Sequence, residues 1–371
     1  MFLPNELAPQ LVHAQAEPSR PDGFSTFRPR RELPGEPFTG GFECGDCHSQ
    51  KTQAQQATSM AHALSVPSQS AVLKSHPRLT FQSGAYSYEI VSENSRSLYR
   101  VTKGHQTFSE PILYAFGNAL IAQTFVFRHN GKLEEGRVSY YAAIDGLDWT
   151  IGDAMSAPPT VEEAAGRDIE SDEARNCFSC HGTGATANGR LRLDGVITGV
   201  TCEACHGPAA AHVAAMNAGS HDLHIFNPKT LSSGALSQEF CGACHRSVDD
   251  VAMMPNLGGM SNVRFQPYRL FNSRGHNPDD RHFACTACHD PHVELHPDFS
   301  VYDANCTVCH GSTPASAEPR TETPAARIKP CPVAKERCVS CHMPKVELPG
   351  AHFKFTDHRI RIARSGDPYP Y

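Results

Sequence analysis

Through the first half of the chain, apolar and polar residues alternate in a series of short runs. YSYEIV (86–91), SLYRV (97–101), PILYAF (111–116), QTFVFR (123–128) and GRVSYY (136–141) are rich in aromatic and β-branched residues. Such runs favour a pleated, half-buried strand. HNG at His129–Gly131 separates two of them and reads as a hairpin turn. The pattern predicts a small antiparallel sheet over residues 78–150. Elsewhere the pattern changes. SQKTQAQQATSMAHAL (49–64) has helix-forming composition. Residues 1–40 are polar and rich in proline, and predict an extended arm. TPASAEPRTETPAARIKP (313–330) reads as a linker of Pro, Ala and Thr. Short helices are expected between 176 and 312.

What fills those helices is a repeated pentapeptide. CxxCH occurs seven times: Cys44/Cys47/His48, Cys177/Cys180/His181, Cys202/Cys205/His206, Cys241/Cys244/His245, Cys285/Cys288/His289, Cys306/Cys309/His310 and Cys338/Cys341/His342. These are motifs 1 to 7. They take all but one of the 15 cysteines, leaving Cys331, which reads as a buried thiol. Two residues between the thiols let both reach one edge of a porphyrin, and the next histidine then faces its iron. This is the attachment signature of c-type haem. Zinc ribbons and disulfide scaffolds also use cysteine pairs, but neither requires a histidine after every pair. The expected cofactor is therefore haem c with its iron, seven times and covalently attached.

That expectation changes how composition is read. The chain of 371 residues offers roughly 53 per motif, with 28 Gly, 28 Pro and one Trp. It is expected to wrap cofactors rather than build one large side-chain core. The fold class anticipated is mostly α and irregular, wrapped around seven haems, with a small haem-free antiparallel β insert. Its divisions would be an arm (1–40), a haem 1 unit (41–77), the β insert (78–150), a haem 2–6 region (151–312), the linker (313–330) and a haem 7 unit (331–371). The formal charge is −6. Ferric haems with two neutral axial histidines add about −1 each, giving about −13 oxidised and about −20 reduced. Nucleic acid is excluded as a partner on that balance.

Covalent haem attachment implies a periplasmic or extracellular protein, so a signal peptide is expected. None is visible in MFLPNELAPQLVHAQA, although AQA at Ala14–Ala16 resembles a cleavage site. No run is long and apolar enough to span a membrane as a helix.

Fourteen histidines remain beyond the seven motifs. Many are expected to be second axial ligands. The favoured candidates are His62, His212, His276, His292, His352 and His358. His292 follows His289 too closely to turn back onto the same iron, so it should serve a neighbour. At least one of His352 and His358 should do likewise. His76, His221, His224, His282 and His296 are weaker candidates. His13, His105 and His129 are expected not to ligate. Met60 and Met343 are read as packing residues.

CEACHGPAAAHV, FACTACHDPH, CVSCHMPKVELPGAHFKFTDHRI, TSMAHAL and VSYYAAIDGLDWTIG resemble segments of the multihaem c-type cytochromes related to the tetrahaem cytochromes that accept electrons from hydroxylamine oxidoreductase. The resemblance covers most of residues 41–360. It implies His62, His212, His292 and His358 as distal ligands. It implies no single function, since such proteins include carriers, filament-forming conductors and haem enzymes. Electron transfer along closely spaced bis-histidine haems is the preferred reading, with redox proteins or copies of itself as partners and no catalytic residue. The alternative is an oxidoreductase with one open haem, acting on a small nitrogen, sulfur or oxygen compound. No CxxC is followed by Lys, which counts against pentahaem nitrite reductase chemistry. A Tyr near a haem (Tyr268 or Tyr302) reads as packing.

Overall fold

The five runs expected to be strands all form, and four more strands join them. The structure, a computed structural model, describes residues 27–33, 38–152, 158–254, 259–310, 331–334, 336–364 and 366–369. Most of the expected arm, His13 and the expected linker lie outside them. The strands are β1 (Leu64–Ser65), β2 (Arg78–Ser83), β3 (Tyr86–Glu93), β4 (Arg96–Lys103), β5 (Gln106–Phe116), β6 (Ala122–His129), β7 (Lys132–Tyr141), β8 (Gly146–Trp149) and β9 (Gly166–Asp168). Strands β2 to β8 pair in sequence order, each antiparallel to the next. β1 adds to β5 and β9 to β7.

Alternation sets which face turns inward. Tyr86, Tyr88 and Ile90 of β3 are buried, as are Tyr99 and Val101 of β4, Phe125 and Phe127 of β6 and Val138 of β7. Asn130 and Gly131 take positive φ (47° and 82°), as the tight hairpin between β6 and β7 requires. Register shifts at Ile112/Tyr114 and Thr124/Val126 bend the central strands. The sheet curls until its ends meet. Trp149 of β8 stands 5.3 Å from the ring of Phe81 in β2 and 5.6 Å from Tyr88 in β3, both edge to face. The result is a nearly closed barrel, which leaves little open strand edge. Helix Val161–Ala165 packs Val161, Ala164 and Ala165 into the same core.

The anticipated fold class is therefore wrong. About 24% of the chain is strand against about 35% helix, and the barrel, not a helical haem wrap, is the dominant body. The sheet is neither small nor confined to 78–150, because β1 and β9 extend it to residues 64 and 168. The physical reason is that aromatic and β-branched side chains build a continuous core here without any cofactor.

The motifs lie on short helices outside the barrel. Phe178, on the motif 2 helix Ser171–His181, packs edge to face on Tyr114 and Phe116 of β5, each 4.9 Å away. Residues 27–33 cross from motif 2 to motif 4. Arg30 donates to Ser179 Oγ (2.9 Å), Asn176 Oδ1 (2.7 Å) and the Ala243 carbonyl (2.7 Å). No helix among the described residues is long and apolar enough to cross a membrane.

Candidate haem-ligand sites

A helical turn puts residues i and i+3 on one face. Motif 1 opens helix Cys44–Gln56, and motifs 2 and 6 close helices Ser171–His181 and Asp303–His310. Motifs 3 and 7 are single helices, Cys202–His206 and Cys338–His342. Motif 4 runs from the helix Ala235–Cys241 into Gly242–His245, and motif 5 is a tighter turn, Cys285–Ala287. The side chain of Cys309 lies outside the described residues.

Several ring nitrogens are fixed by the backbone. His181 donates from Nδ1 to the Ala63 carbonyl (3.0 Å), His206 to Phe226 (3.0 Å) and His342 to Arg361 (2.9 Å). Outside the motifs, His358 donates to Thr356 (3.0 Å) and His212 to Leu223 (2.5 Å). A proton held on Nδ1 leaves the Nε2 lone pair free for a metal, the tautomer that ligation needs. Burial pushes the pKa of His181, His206, His245 and His289 down, favouring neutral rings. Burial, with His289 adding repulsion, takes His358 down to about 4.

Two pairs of rings stand opposite one another. His206 and His292 have centroids 6.1 Å apart, and His289 and His358 are 6.2 Å apart. Two imidazoles on opposite sides of one iron are separated by roughly 6 Å, from metal–nitrogen bonds of about 2 Å and ring radii of about 1 Å. The first pair forms because the loop after motif 5 docks on the motif 1 helix. Asp290 pairs with Lys51 at 3.0 Å, and Glu294 accepts the Ser59 N–H. His48 and His212 also lie within charge-interaction range of His206, and His181 within that of His245.

Thiols of different motifs meet as well. Cys44 lies beside Cys202, Cys180 beside Cys244, Cys241 beside Cys285 and Cys306 beside Cys338. The tether points of motifs 1 and 3, 2 and 4, 4 and 5, and 6 and 7 are thus neighbours. Asp303 holds the last two together: its carboxylate accepts the Arg337 N–H and the Cys338 N–H (2.8 Å) at the start of the motif 7 helix.

Three of the expected attachment thiols are not enclosed by the chain. Cys47, Cys288 and Cys341 are exposed, whereas Cys44, Cys285 and Cys338, the first thiols of the same motifs, are half-buried. The two thiols of a motif therefore differ in how deeply the chain holds them. The cause is packing between motifs. Each of the three first thiols meets a thiol of another motif, while the second lies three residues on, outside that contact. Cys341 instead lies 3.8 Å from the hydroxyl of neighbouring Ser340. His48, His62 and His310 are also exposed. In motif 1, therefore, Cys47 and His48 both face outward from the helix that carries them.

Other histidines are engaged elsewhere. His352 directs Nε2 at Asp148 Oδ2 of the barrel, 2.7 Å away, and packs on Tyr141 at 4.9 Å. His76 uses both nitrogens, on the Val72 carbonyl and Asp145 (3.0 Å each). His129 bonds Glu110 at 2.8 Å. His276 sits between Phe271 and Phe283, at 4.9 and 5.9 Å. His62 and His310 face no other ring within the described contacts. His62 is positioned by close backbone approach: Gly199 (φ +78°) lies so near Ala61 that a Cβ would fall 1.9 Å from its carbonyl oxygen. Cys331, expected to be buried, is exposed, next to Pro332 at the surface.

Haem itself can be tested against these surroundings. Among the described residues, buried Thr52 Oγ1, Arg264 Nε and His289 Nδ1 have no hydrogen-bond partner; Thr52 lies in the motif 1 helix, His289 in motif 5, and Gln266, two residues from Arg264, contacts His245 of motif 4. Buried polar atoms are normally satisfied. Polar edges and propionates of a prosthetic group would satisfy them, so the residues fit the group. Among the described residues no three His, Cys, Asp or Glu side chains converge as a bare metal site. Sequence reasoning passed over Arg264 and Gln266. The signal was a charged and an amide side chain set among apolar neighbours in NVRFQPYRL.

Comparison with known proteins gives two similarities. The family described as cytochrome c554 and c-prime matches residues 153–207, which contain motifs 2 and 3. The multiheme cytochrome MtrA of Shewanella baltica (strain OS185) is 27% identical over 150 residues, 40% of this chain and 36% of that protein. The chain thus spans about a third of the length of that curated relative. No solved structure matches. Both similarities support a likeness to multihaem c-type cytochromes.

Proposed function

We propose that this chain is an electron-transfer cytochrome carrying seven haems, mainly with two histidine ligands each, and that it works outside the cytoplasm. When bound, haem supplies reversible one-electron exchange at iron. The chain's share is to tether, orient and insulate. Each CxxCH thiol pair fixes a porphyrin edge, and its histidine presents Nε2. The observation that carries the reading is the ring spacing of His206/His292 and His289/His358, at 6.1 and 6.2 Å. A second imidazole at that distance closes the site to small molecules and favours transfer over catalysis. Neighbouring thiols of different motifs support closely spaced porphyrin edges. Redox proteins, or further copies of the chain, would be the partners.

Low-temperature EPR of the air-oxidised holoprotein, with haem counted by pyridine haemochrome, tests this. Seven haems with none high-spin is the expected result. One high-spin haem that binds nitrite, hydroxylamine or CO overturns it, in favour of an oxidoreductase with a single open iron.

A further inference from the structure

His358 reaches motif 5 from a part of the chain that belongs, by sequence, to motif 7. Something must hold it there. The residue before it, Asp357, is fully buried, and so is Arg269 on the helix Gln266–Phe271 that leads towards motif 5. Their contact is a fork: Arg269 Nε donates to Oδ1 at 2.8 Å and Nη2 to Oδ2 at 2.9 Å. Arg361 adds a third donor to Oδ2 at 2.6 Å, and the Arg359 N–H a fourth to Oδ1 at 3.0 Å. Behind the fork, Arg269 Nη1 donates to Asn262 Oδ1 (3.2 Å), which also accepts the Tyr369 hydroxyl (2.6 Å). Ser273 closes the other side. Its Oγ accepts the Ile360 N–H at 2.8 Å and donates to the His358 carbonyl at 3.3 Å. The backbone is therefore pinned before and after His358, and Nδ1 on Thr356 fixes the ring.

A buried ion pair is a poor way to gain stability, because two charges must be stripped of water. What it gives is orientation, since a guanidinium fork meets a carboxylate in one plane. We propose that Arg269 and Asp357 are positioning residues that hold His358 as the second axial ligand of the motif 5 iron. The inference rests on the ligation reading above. It adds that this ligation depends on a dedicated polar clamp, one that joins the C-terminal unit to the approach to motif 5.

The test uses the holoprotein and reads haem count, EPR and CO binding per chain. His358→Ala should open one haem per chain, seen as a high-spin ferric signal and one bound CO. Asp357→Ala should reproduce that signature at an unchanged haem count. Arg269→Lys keeps the charge but loses the fork, and should open the same haem in a measurable fraction of chains. It decides the matter if Asp357→Ala does not accumulate. If His358→Ala opens a haem while Arg269→Lys and any recovered Asp357→Ala stay wholly low-spin, the positioning role is overturned and the ligation stands. If His358→Ala itself opens no haem, the ligation fails and the clamp proposal goes with it.

Discussion

Glu203 offers the sharpest test of how the attachment helices are held. It is the first residue between the two cysteines of motif 3 and is fully buried. Its Oε1 accepts the N–H groups of Thr39 (2.8 Å) and Ala209 (2.9 Å), and its Oε2 that of Gly40 (2.8 Å). One carboxylate thus ties the segment before motif 1 to the motif 3 helix and to the start of helix Ala210–Asn217. Replacing it with Ala strands three backbone donors. Charge-assisted bonds are worth about 1.5–3 kcal/mol each, and relief of the buried charge offsets part of that loss. A net cost of about 3 kcal/mol follows, or roughly 150-fold in the local opening equilibrium at 1.4 kcal/mol per decade. Gln keeps one acceptor oxygen but turns an NH₂ towards a donor, so about 1.5 kcal/mol, roughly tenfold, is expected. Global melting is a poor readout, since a chain with many cofactors does not unfold in one step. Hydrogen exchange of the peptides containing Thr39, Gly40 and Ala209 reads the local opening directly. Acceleration in the order Ala, then Gln, then wild type is expected. Less than threefold acceleration in Glu203→Ala would refute the argument that this carboxylate fastens motif 1 to motif 3.

Three other perturbations address separate parts of the molecule. His292→Ala should open one haem per chain to CO at full haem count, while His352→Ala, whose ring bonds Asp148, should open none; ferrous CO spectra compare the two. Arg264→Met removes a half-buried cation two residues from Gln266, which contacts His245 of motif 4. This should lower one haem's midpoint potential in a redox titration, since loss of a nearby positive charge favours the ferric state. Burial raises the pKa of Glu134 on the barrel, so the group favours the fold below its unfolded pKa and loses that contribution as pH rises through the folded value. Glu134→Gln should therefore slow local opening of β7 at pH 7 and leave it unchanged near pH 3.5, as hydrogen exchange of the β7 peptides would show.

The attachment motifs were legible because their chemistry is local: five consecutive residues carry both thiols and the first imidazole. How deeply each thiol sits was not, since the exposure of Cys47 and Cys341 follows from which motifs pack together. Nor was the pairing of imidazoles. His206 meets His292 and His289 meets His358 across long stretches of chain, through contacts such as Lys51–Asp290 that no periodicity encodes. The same division holds in the barrel. β3 to β7 could be read from their aromatic and β-branched alternation. β2, with Arg78, Thr80, Gln82 and Ser83 among its six residues, and the four-residue β8 carry too little pattern to be seen. Closure depends on Trp149 reaching Phe81, a contact that exists only once the sheet has curled. Expecting the cofactors to supply the core led to underestimating what Tyr88, Tyr99, Phe125 and Phe127 build by themselves.

The barrel also changes the topology of haem loading. Motifs 1 and 2 are separated by 133 residues, by far the widest interval in the chain. Once the span from β1 to β9 has folded, only about 25 of those residues remain as free connector. Loop closure grows as three halves of RT times the logarithm of length, so the saving is roughly 1.5 kcal/mol. With Ala63 accepting from His181 and β1 paired to β5, the folded barrel holds motif 2 against the segment that follows motif 1. An enzyme that stitches haem onto the chain would still meet Cys47 and His48 at the surface after that collapse, but would find motif 2, half-buried and tied to Ala63, less accessible. The same feature that docks motif 2 on the barrel sets a deadline for its modification.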